Sequence, residues 1–141
     1  MTPLPSRSLK ARLARVKLLL CDVDGVLTDA TVLVDSRGSE AKAFNIRDGL
    51  GLVLLRRAGI RVGWISSRPS AATRYRAREL KVDFLVQQKG NKATSIERIL
   101  ARSGLTWEVV CYAGDDLVDL GAMRRVQRVF DPTGRCNPGK I

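Results

Sequence analysis

Two aspartates, Asp22 and Asp24, stand two residues apart in the segment DVDGVLTD, directly after an apolar run. Both can reach one pocket if the backbone curls at this point. Two carboxylates that close destabilise each other unless a cation or a proton separates them. A Mg²⁺ ion, which prefers hard oxygen ligands, would meet that need. The same string is also typical of a turn or a helix cap, so the pair alone leaves both interpretations open.

Three more groups of polar residues lie after later apolar runs or at the start of predicted helices. Ser66-Ser67-Arg68 offers hydroxyl and N–H groups that suit a phosphate, or that simply cap a helix. Lys92 could neutralise a phosphoryl group, or could be a solvated surface lysine. In GDDLVD, Asp115 could complete a magnesium site with Asp119 in support, or both could just favour a helix amino end.

The elements that must position these residues alternate along the chain. Apolar runs predict strands, and apolar residues at helical spacing predict helices. The predicted strands are Val16–Asp22, Arg61–Ser66, Asp83–Val86, Val109–Ala113 and a short Arg128–Phe130. The predicted helices are Ser8–Arg15, Gly49–Ala58, Ala71–Leu80, Asn91–Ser103 and Leu117–Val126, and a β-hairpin insert is expected at Thr31–Val34 and Ala41–Asn45.

This alternation implies an α/β fold with a mostly parallel sheet and helices on both faces. In such sheets working residues gather at the carboxyl ends of the strands, where all four polar sets fall. With 141 residues, the chain should form one compact domain. We divide it into a basic segment at 1–15, the domain at 16–130 and an irregular tail, rich in Pro and Gly, at 131–141.

The composition excludes several kinds of chemistry. The chain has no histidine, which removes imidazole bases and ligands. Its three cysteines lack the spacing of a disulfide framework or zinc site, so we expect reduced thiols in a cytoplasmic protein. The formal charge of +11 suits anionic partners. Aromatic residues are only 5% and no apolar run reaches the length of a membrane span, so we expect neither nucleic-acid nor membrane binding.

The order of the four sets resembles the four motifs of the haloacid dehalogenase superfamily. The segments KAFNIRDGLG (Lys42–Gly51), ISSR (Ile65–Arg68) and QKGNK (Gln88–Lys92) resemble, more closely, the 3-deoxy-D-manno-octulosonate 8-phosphate phosphatases. The similarity covers roughly residues 16–126. It implies a three-layer, Rossmann-like core without a large cap domain. It also implies a homotetramer in which a neighbouring subunit helps to close the active site.

The resemblance assigns chemical roles. Asp22 would be the nucleophile and Asp24 the proton carrier, while Ser66 and Lys92 would hold the phosphoryl group. Mg²⁺ would be bound by the Asp22 carboxylate, the Asp24 main-chain carbonyl and Asp115. Asp116 or Asp119 would lie behind these ligands and orient the metal's waters or Lys92.

The implied substrate is a small phosphorylated sugar acid of lipopolysaccharide biosynthesis. Its phosphate and carboxylate would explain the basic charge. The residues implied to contact it are Asp24, Asn45, Arg47, Asp48, Gly49, Arg68, Arg76 and Lys92.

Three departures from the family pattern stand out. Ser67 replaces a usual glycine, and Val53 stands where some members place an arginine. The tail does not resemble the family's carboxyl-terminal region, which leads us to expect a truncation or a change of reading frame near Val126; downstream DNA read in the other frames would test this. The alternatives are a phosphatase of another small ester, a non-catalytic subunit that keeps the fold and, last, a nucleic-acid binder.

Overall fold

The structure is a computed structural model that describes the backbone of residues 6–130 and the side chains of residues 10–129. Its strands are β1 (Leu18–Cys21), β2 (Leu33–Val34), β3 (Glu40–Ala41), β4 (Arg61–Ser66), β5 (Phe84–Gln87) and β6 (Val110–Ala113). Its α-helices are α1 (Ser6–Leu13), α2 (Ile46–Arg57), α3 (Ala71–Glu79), α4 (Lys92–Ser103) and α5 (Leu120–Phe130). Short 3₁₀ turns span Trp107–Val109 and Leu117–Asp119.

Four parallel strands form the central sheet in the order β5-β4-β1-β6. Strand β1 is flanked on both sides and covered on both faces, which explains its unbroken apolar sequence LLLC. Cys21, its last residue, pairs with Trp64 on one side and Ala113 on the other. The carboxyl ends of the three neighbouring strands are therefore nearly level, and the residues that follow them share one edge.

Two hydrophobic clusters confirm the three-layer prediction. Leu18 and Leu20 of β1 point to one face, where they pack with Ile96 and Ile99 of α4. Residues of α2 and α3 pack on the other face, around Trp64. Because side chains alternate along a strand, the short apolar run of β1 serves both clusters.

The hairpin insert is also confirmed. Strands β2 and β3 pair antiparallel, with Leu33 opposite Ala41. The turn between them is held by Asp35, whose carboxylate accepts hydrogen bonds from the backbone of Arg37 and Ser39. This hairpin is the only secondary structure between β1 and α2, so no large cap domain is inserted there.

The predicted strand at Arg128–Phe130 is wrong, because α5 continues to Phe130. Ala122 is fully buried, and Val126, four residues later, packs against the same cluster. Apolar residues at this spacing maintain a helix rather than a strand. The predicted helix at Leu117–Val126 also begins differently, since Leu117–Asp119 forms a 3₁₀ turn. The predicted tail at 131–141 lies outside the described residues.

Within residues 6–130, no helix combines the length and apolar character needed to cross a membrane.

Candidate active site

The backbone curls directly after β1, as the paired aspartates require. The N–H of Asp22 donates to Ala113, which extends the sheet by one step. The N–H groups of Leu27 and Thr28 then turn back to the carbonyl of Val23. Gly25 has φ +93°, a conformation that favours glycine. Asp22 and Asp24 therefore both lie at the carboxyl edge of the sheet.

A buried lysine joins two of the predicted acids. The Nζ atom of Lys92 lies 2.8 Å from Asp22 Oδ1 and 2.7 Å from Asp119 Oδ1. Asp119 is fully buried, and Asp22 and Lys92 are 5% and 2% exposed. A buried charge is costly unless it is paired and hydrogen-bonded, so Lys92 is fixed between the carboxylates rather than solvated on the surface.

Both carboxylate oxygens of Asp119 accept hydrogen bonds. Its Oδ1 also accepts a hydrogen bond from the Tyr112 hydroxyl, and its Oδ2 accepts one from the Asp116 N–H at 3.1 Å. Burial alone would raise the pKa of Asp119, but the hydrogen bonds from Lys92, Tyr112 and Asp116 lower that pKa below its ordinary value. Asp119 is thus a charged anchor for Lys92.

The environment of Asp22 is different. Burial raises the pKa of Asp22, and the hydrogen bond and charge of Lys92 offset this only in part. The nearby charge of Asp119 raises it further. A second cation beside Asp22 would therefore stabilise its carboxylate form.

The acidic side chains fit a magnesium ion. Asp22, Asp115 and Asp119 each place a carboxylate oxygen within 4.8 Å of the other two. The oxygens of Asp119 accept hydrogen bonds from Lys92, Tyr112 and Asp116. Asp22 and Asp115 are therefore the carboxylates that are available as metal ligands. Asp115 packs against Gly25, where an added Cβ would lie 1.9 Å from Asp115 Oδ2. A site that offers carboxylate oxygens and no histidine suits Mg²⁺.

Asp24 belongs to a second network on the same edge. Its Oδ1 accepts a hydrogen bond from Lys42 Nζ at 2.6 Å, and its Oδ2 lies 3.5 Å from Ser66 Oγ. Ser66 is 1% exposed, and its Oγ accepts a hydrogen bond from the Arg68 N–H at 3.0 Å. The structure therefore brings together Asp22, Asp24, Ser66, Lys92 and Asp115, as the strand ends predict.

The residues predicted to contact substrate are more dispersed. Arg68 forms an ion pair with Glu40 at 2.6 Å, and Glu40 in turn lies 3.8 Å from Lys42 Nζ. Asn45 caps α2 by accepting a hydrogen bond from the Arg47 N–H. Arg47 and Asp48 line a groove of about 630 Å³ beside Val26 and Leu27, which follow the Asp24 turn.

Gly49 and Arg76 contact each other between α2 and α3. A Cβ at Gly49 would lie 2.6 Å from Arg76 Nη2, and Arg76 pairs with Glu79 at 2.6 Å. Within the described residues, these contacts hold Arg76 to its own helix and α2 rather than to Asp22 or Asp24.

The two single-residue departures from the family pattern, Ser67 and Val53, lie in different places. The Ser67 hydroxyl is buried beside Ser66 and has no hydrogen-bond partner among the described residues. Val53 lines a shallow groove with Arg56 and Glu79. The residue types alone did not indicate that Ser67 would lie beside Ser66 and Val53 in a groove between helices.

Sequence reasoning missed Lys42 and Tyr112. Lys42 meets Asp24 across 18 positions of the chain, and nothing in the string EAKAF distinguishes it from a surface lysine. Tyr112 lies in the apolar run VVCYA and looks like a core residue. Their contacts depend on how distant segments meet, which local spacing does not encode.

Comparisons with known proteins agree with the fold described above and with the family that the sequence motifs resemble. The 3-deoxy-D-manno-octulosonate 8-phosphate phosphatase of Moraxella catarrhalis, solved with magnesium, phosphate and a KDO molecule, superposes with a TM-score of 0.82 at 36% identity. The match covers 86% of this chain and 70% of that one. The chain belongs to the 3-deoxy-D-manno-octulosonate 8-phosphate phosphatase family. As such it carries the haloacid dehalogenase fold.

Other members of the phosphatase family agree. A probable YrbI-family phosphatase of Pseudomonas syringae is 40% identical with a TM-score of 0.82, covering 86% of this chain and 69% of that chain. The Yersinia pestis phosphatase KdsC is 38% identical over 115 residues, which is 82% of this chain. The chain spans less than two thirds of the curated relatives it matches first, 62% for Yersinia pestis and 63% for Haemophilus influenzae.

A different family model matches the carboxyl-terminal part. Residues 109–141 match the model of the FAD linked oxidases, C-terminal domain. This match begins just before β6 and runs into residues 131–141. It covers less than a quarter of the chain, whereas the Yersinia pestis and Moraxella catarrhalis phosphatases match 82% and 86% of it.

Proposed function

We propose that the chain is a Mg²⁺-dependent phosphatase that hydrolyses 3-deoxy-D-manno-octulosonate 8-phosphate to the free sugar acid and phosphate. The observation that carries the proposal is the buried Asp22 carboxylate, held by Lys92 at 2.8 Å and adjoined by Asp24 and Ser66 at one sheet edge. This arrangement supplies a nucleophile, a cation for the phosphoryl group, a proton carrier and a hydroxyl donor.

The reaction would proceed in two displacements. An Asp22 oxygen attacks phosphorus while the bond to the sugar oxygen breaks, and Asp24 donates a proton to that oxygen. Asp24 then takes a proton from a water that attacks the phosphorus of the aspartyl-phosphate, and the Asp22 carboxylate leaves. Lys92 and Ser66 hold the equatorial phosphoryl oxygens through both steps.

The proposed magnesium ligands are the Asp22 carboxylate, the Asp24 main-chain carbonyl and Asp115. Asp116 and Asp119 would stand behind them, consistent with Asp119's hydrogen bonds to Lys92 and to the Asp116 backbone. When bound, the ion offsets the repulsion between Asp22 and a phosphate dianion and polarises the phosphoryl oxygens.

A sugar acid would be recognised by the polar surface around this edge. Arg68, Arg47 and Asp48 are exposed, and Asn45 lies at the start of α2. Gly49 and Arg76, which contact each other, complete the proposed set. The net charge of +11 favours a substrate that carries both a phosphate and a carboxylate.

A panel of phosphate esters tests the substrate. Phosphate release would be measured with Mg²⁺ on the octulosonate phosphate, a hexose phosphate, a nucleotide and p-nitrophenyl phosphate. We expect kcat/KM to be at least about 100-fold higher for the octulosonate phosphate, because only that substrate engages the basic residues through a carboxylate. Equal values across the panel would contradict the substrate and retain the phosphatase chemistry.

A homotetramer is part of the proposal. Ile46, Leu50 and Leu54 lie four residues apart along α2 and are 80%, 60% and 54% exposed. Leu33 and Val34 of the hairpin are exposed as well, at 68% and 62%. The exposed apolar residues at this spacing on α2 support a surface that another subunit covers. A neighbour seated there would stand close to the groove beside Asp48.

We place the reaction in the cytoplasm and in lipopolysaccharide sugar biosynthesis. The free thiols of Cys21 and Cys111 support a reducing compartment. Similarity to phosphatases that act on the octulosonate phosphate supports the pathway.

A further inference from the structure

The hairpin delivers a buried lysine to the proton carrier. Lys42 directly follows β3, and its side chain is 0% exposed. Its Nζ lies 2.6 Å from Asp24 Oδ1. A lysine charge removed from water needs a close counter-charge, so this contact constrains both side chains. Lys42 therefore fixes where the Asp24 carboxyl group lies.

A second acid ties this pair to the other flank of the site. Glu40, on β3, lies 3.8 Å from Lys42 Nζ and binds Arg68 at 2.6 Å. The Ser70 hydroxyl, and then the hydrogen bond and charge of Arg68, lower the pKa of Glu40. An ion-pair chain thus runs from Arg68 through the hairpin to Asp24, and the hairpin connects the loops that follow β4 and β1.

The two oxygens of Asp24 have different surroundings. Oδ1 is occupied by Lys42, whereas Oδ2 faces Ser66 Oγ at 3.5 Å. Ser66 is the side chain proposed to hold the phosphoryl group, so Oδ2 lies on the side where the ester oxygen would be. Lys42 contacts the far side of the carboxyl group.

We propose that Lys42 is a positioning residue, which holds Asp24 through Oδ1 so that Oδ2 passes the proton to the leaving oxygen and takes it from the attacking water. This inference rests on the proposed phosphatase function. Without Lys42 the carboxyl group can rotate about its Cβ–Cγ bond, and the proton transfer loses its alignment. The hairpin then has a catalytic purpose, because it carries the residue that fixes the proton carrier.

The leaving group gives the kinetic test. The octulosonate phosphate must have its leaving oxygen protonated, whereas p-nitrophenyl phosphate releases a stable phenolate without a proton. In Lys42→Met we expect kcat for the sugar ester to fall by about 100-fold, the scale of general acid–base catalysis, with KM little changed. With the aryl ester we expect a rapid burst of p-nitrophenolate at close to the parent rate, followed by slow turnover.

The burst arises because Asp24 is also needed to activate the hydrolytic water. Acid-quenched Lys42→Met protein should therefore carry phosphate on Asp22, detected by mass spectrometry of its peptides. Lys17→Met is the matched control, since Lys17 is exposed and precedes β1 at the opposite end of the sheet. It should behave as the parent with both esters.

A measurement independent of turnover tests the contact itself. In protein labelled with ¹⁵N-lysine, the ammonium group of Lys42 should exchange slowly with water and give a resolved signal. That signal should be missing from Lys42→Met, present in Lys17→Met and shifted in Asp24→Ala. Lys92, which is also buried between two carboxylates, should give a second such signal in all variants. A parent in which no slowly exchanging lysine signal disappears on the change Lys42→Met would contradict the contact.

Other outcomes overturn the role. Equal losses with both esters, without a burst, would make Lys42 a packing residue, and a raised KM with unchanged kcat would make it a substrate ligand. An active parent whose leaving-group dependence is unaltered in Lys42→Met contradicts this inference alone. A parent that releases phosphate from neither ester contradicts the proposed function, and the role of Lys42 falls with it.

Discussion

At the scale of single residues, two glycines make room for the acids of the site. Gly25 adopts φ +93°, and a Cβ there would meet Asp115 Oδ2 at 1.9 Å. A Cβ at Gly114 would lie 2.5 Å from Asp119 Cγ. The acids can approach the β1 loop and β6 this closely because these positions lack side chains.

Gly25→Ala should therefore disable the site. The added methyl group would displace Asp115, and a misplacement of about 1 Å at a reacting centre costs roughly 100-fold in rate. We expect kcat to fall by about that factor and Mg²⁺ affinity, measured by calorimetry, to weaken in parallel. Gly38→Ala is the control, because Gly38 also has positive φ, at +80°, but has open space around it.

If both alanine variants lose activity and magnesium affinity alike, backbone strain explains the result and the packing of Asp115 does not. If neither does, Asp115 is not a ligand at this position.

How far the sequence predicts single residues depends on how local their placement is. Asp22, Ser66 and Asp115 adjoin strand ends, and parallel strands carry such residues to one edge whatever the details of packing. Lys42 reaches the site through a hairpin whose exact position depends on tertiary contacts. Its partner could be identified only from the folded structure.

At the scale of elements, one acid ties α2 to the sheet. Asp83 precedes β5 and accepts hydrogen bonds from Arg56 of α2 at 3.1 Å and from the Val62 N–H of β4 at 2.9 Å. Burial alone would raise the pKa of Asp83, but Arg56 and the Val62 amide outweigh it and lower that pKa. Asp83 thereby holds the helix that carries Arg47 and Asp48, two of the residues proposed to contact substrate.

Asp83→Asn should lower the free energy of unfolding by about 1 kcal/mol at pH 7, the scale of one partly exposed charged hydrogen bond. A carboxyl group whose pKa is lowered by folding stabilises the protein above its unfolded pKa, and that stabilisation is lost as the pH falls through the folded pKa. The difference between parent and variant should thus shrink below about pH 4. Urea unfolding at several pH values measures it.

A double variant provides the control for this joint. Adding Arg56→Gln to Asp83→Asn should cost less than the sum of the two single changes, because both remove the same pair. Strict additivity, or a difference that persists unchanged in acid, would contradict the ion pair.

Element boundaries show the limits of local patterns. The spacing of Ile96, Ile99 and Leu100 predicts the buried face of α4, which the structure confirms. At Arg128–Phe130, three residues were too few to show a period, and a helix continues where a strand was predicted. What decides that end of α5 is Val126 against the core, a tertiary contact.

At the scale of the whole molecule, the apolar stripe of α2 predicts self-association. We propose that the parent sediments as four chains, and in Leu50→Glu/Leu54→Glu we expect a lower mass while circular dichroism stays unchanged. Leu13→Glu is the control, since Leu13 of α1 is similarly exposed at 56%. A parent that sediments as one chain, or a double variant that keeps the parent mass, would contradict the interface.

We propose above all that Asp22 is the nucleophile of a magnesium-dependent phosphatase. The most direct measurement is phosphate release from the octulosonate phosphate by the parent chain and by Asp22→Asn, each with Mg²⁺ and then with excess chelator. The parent should turn over only with Mg²⁺, and Asp22→Asn, folded by circular dichroism, should lose at least about 1000-fold in kcat because the attacking carboxylate is gone. Turnover by Asp22→Asn at a rate near that of the parent would show that Asp22 is not the nucleophile.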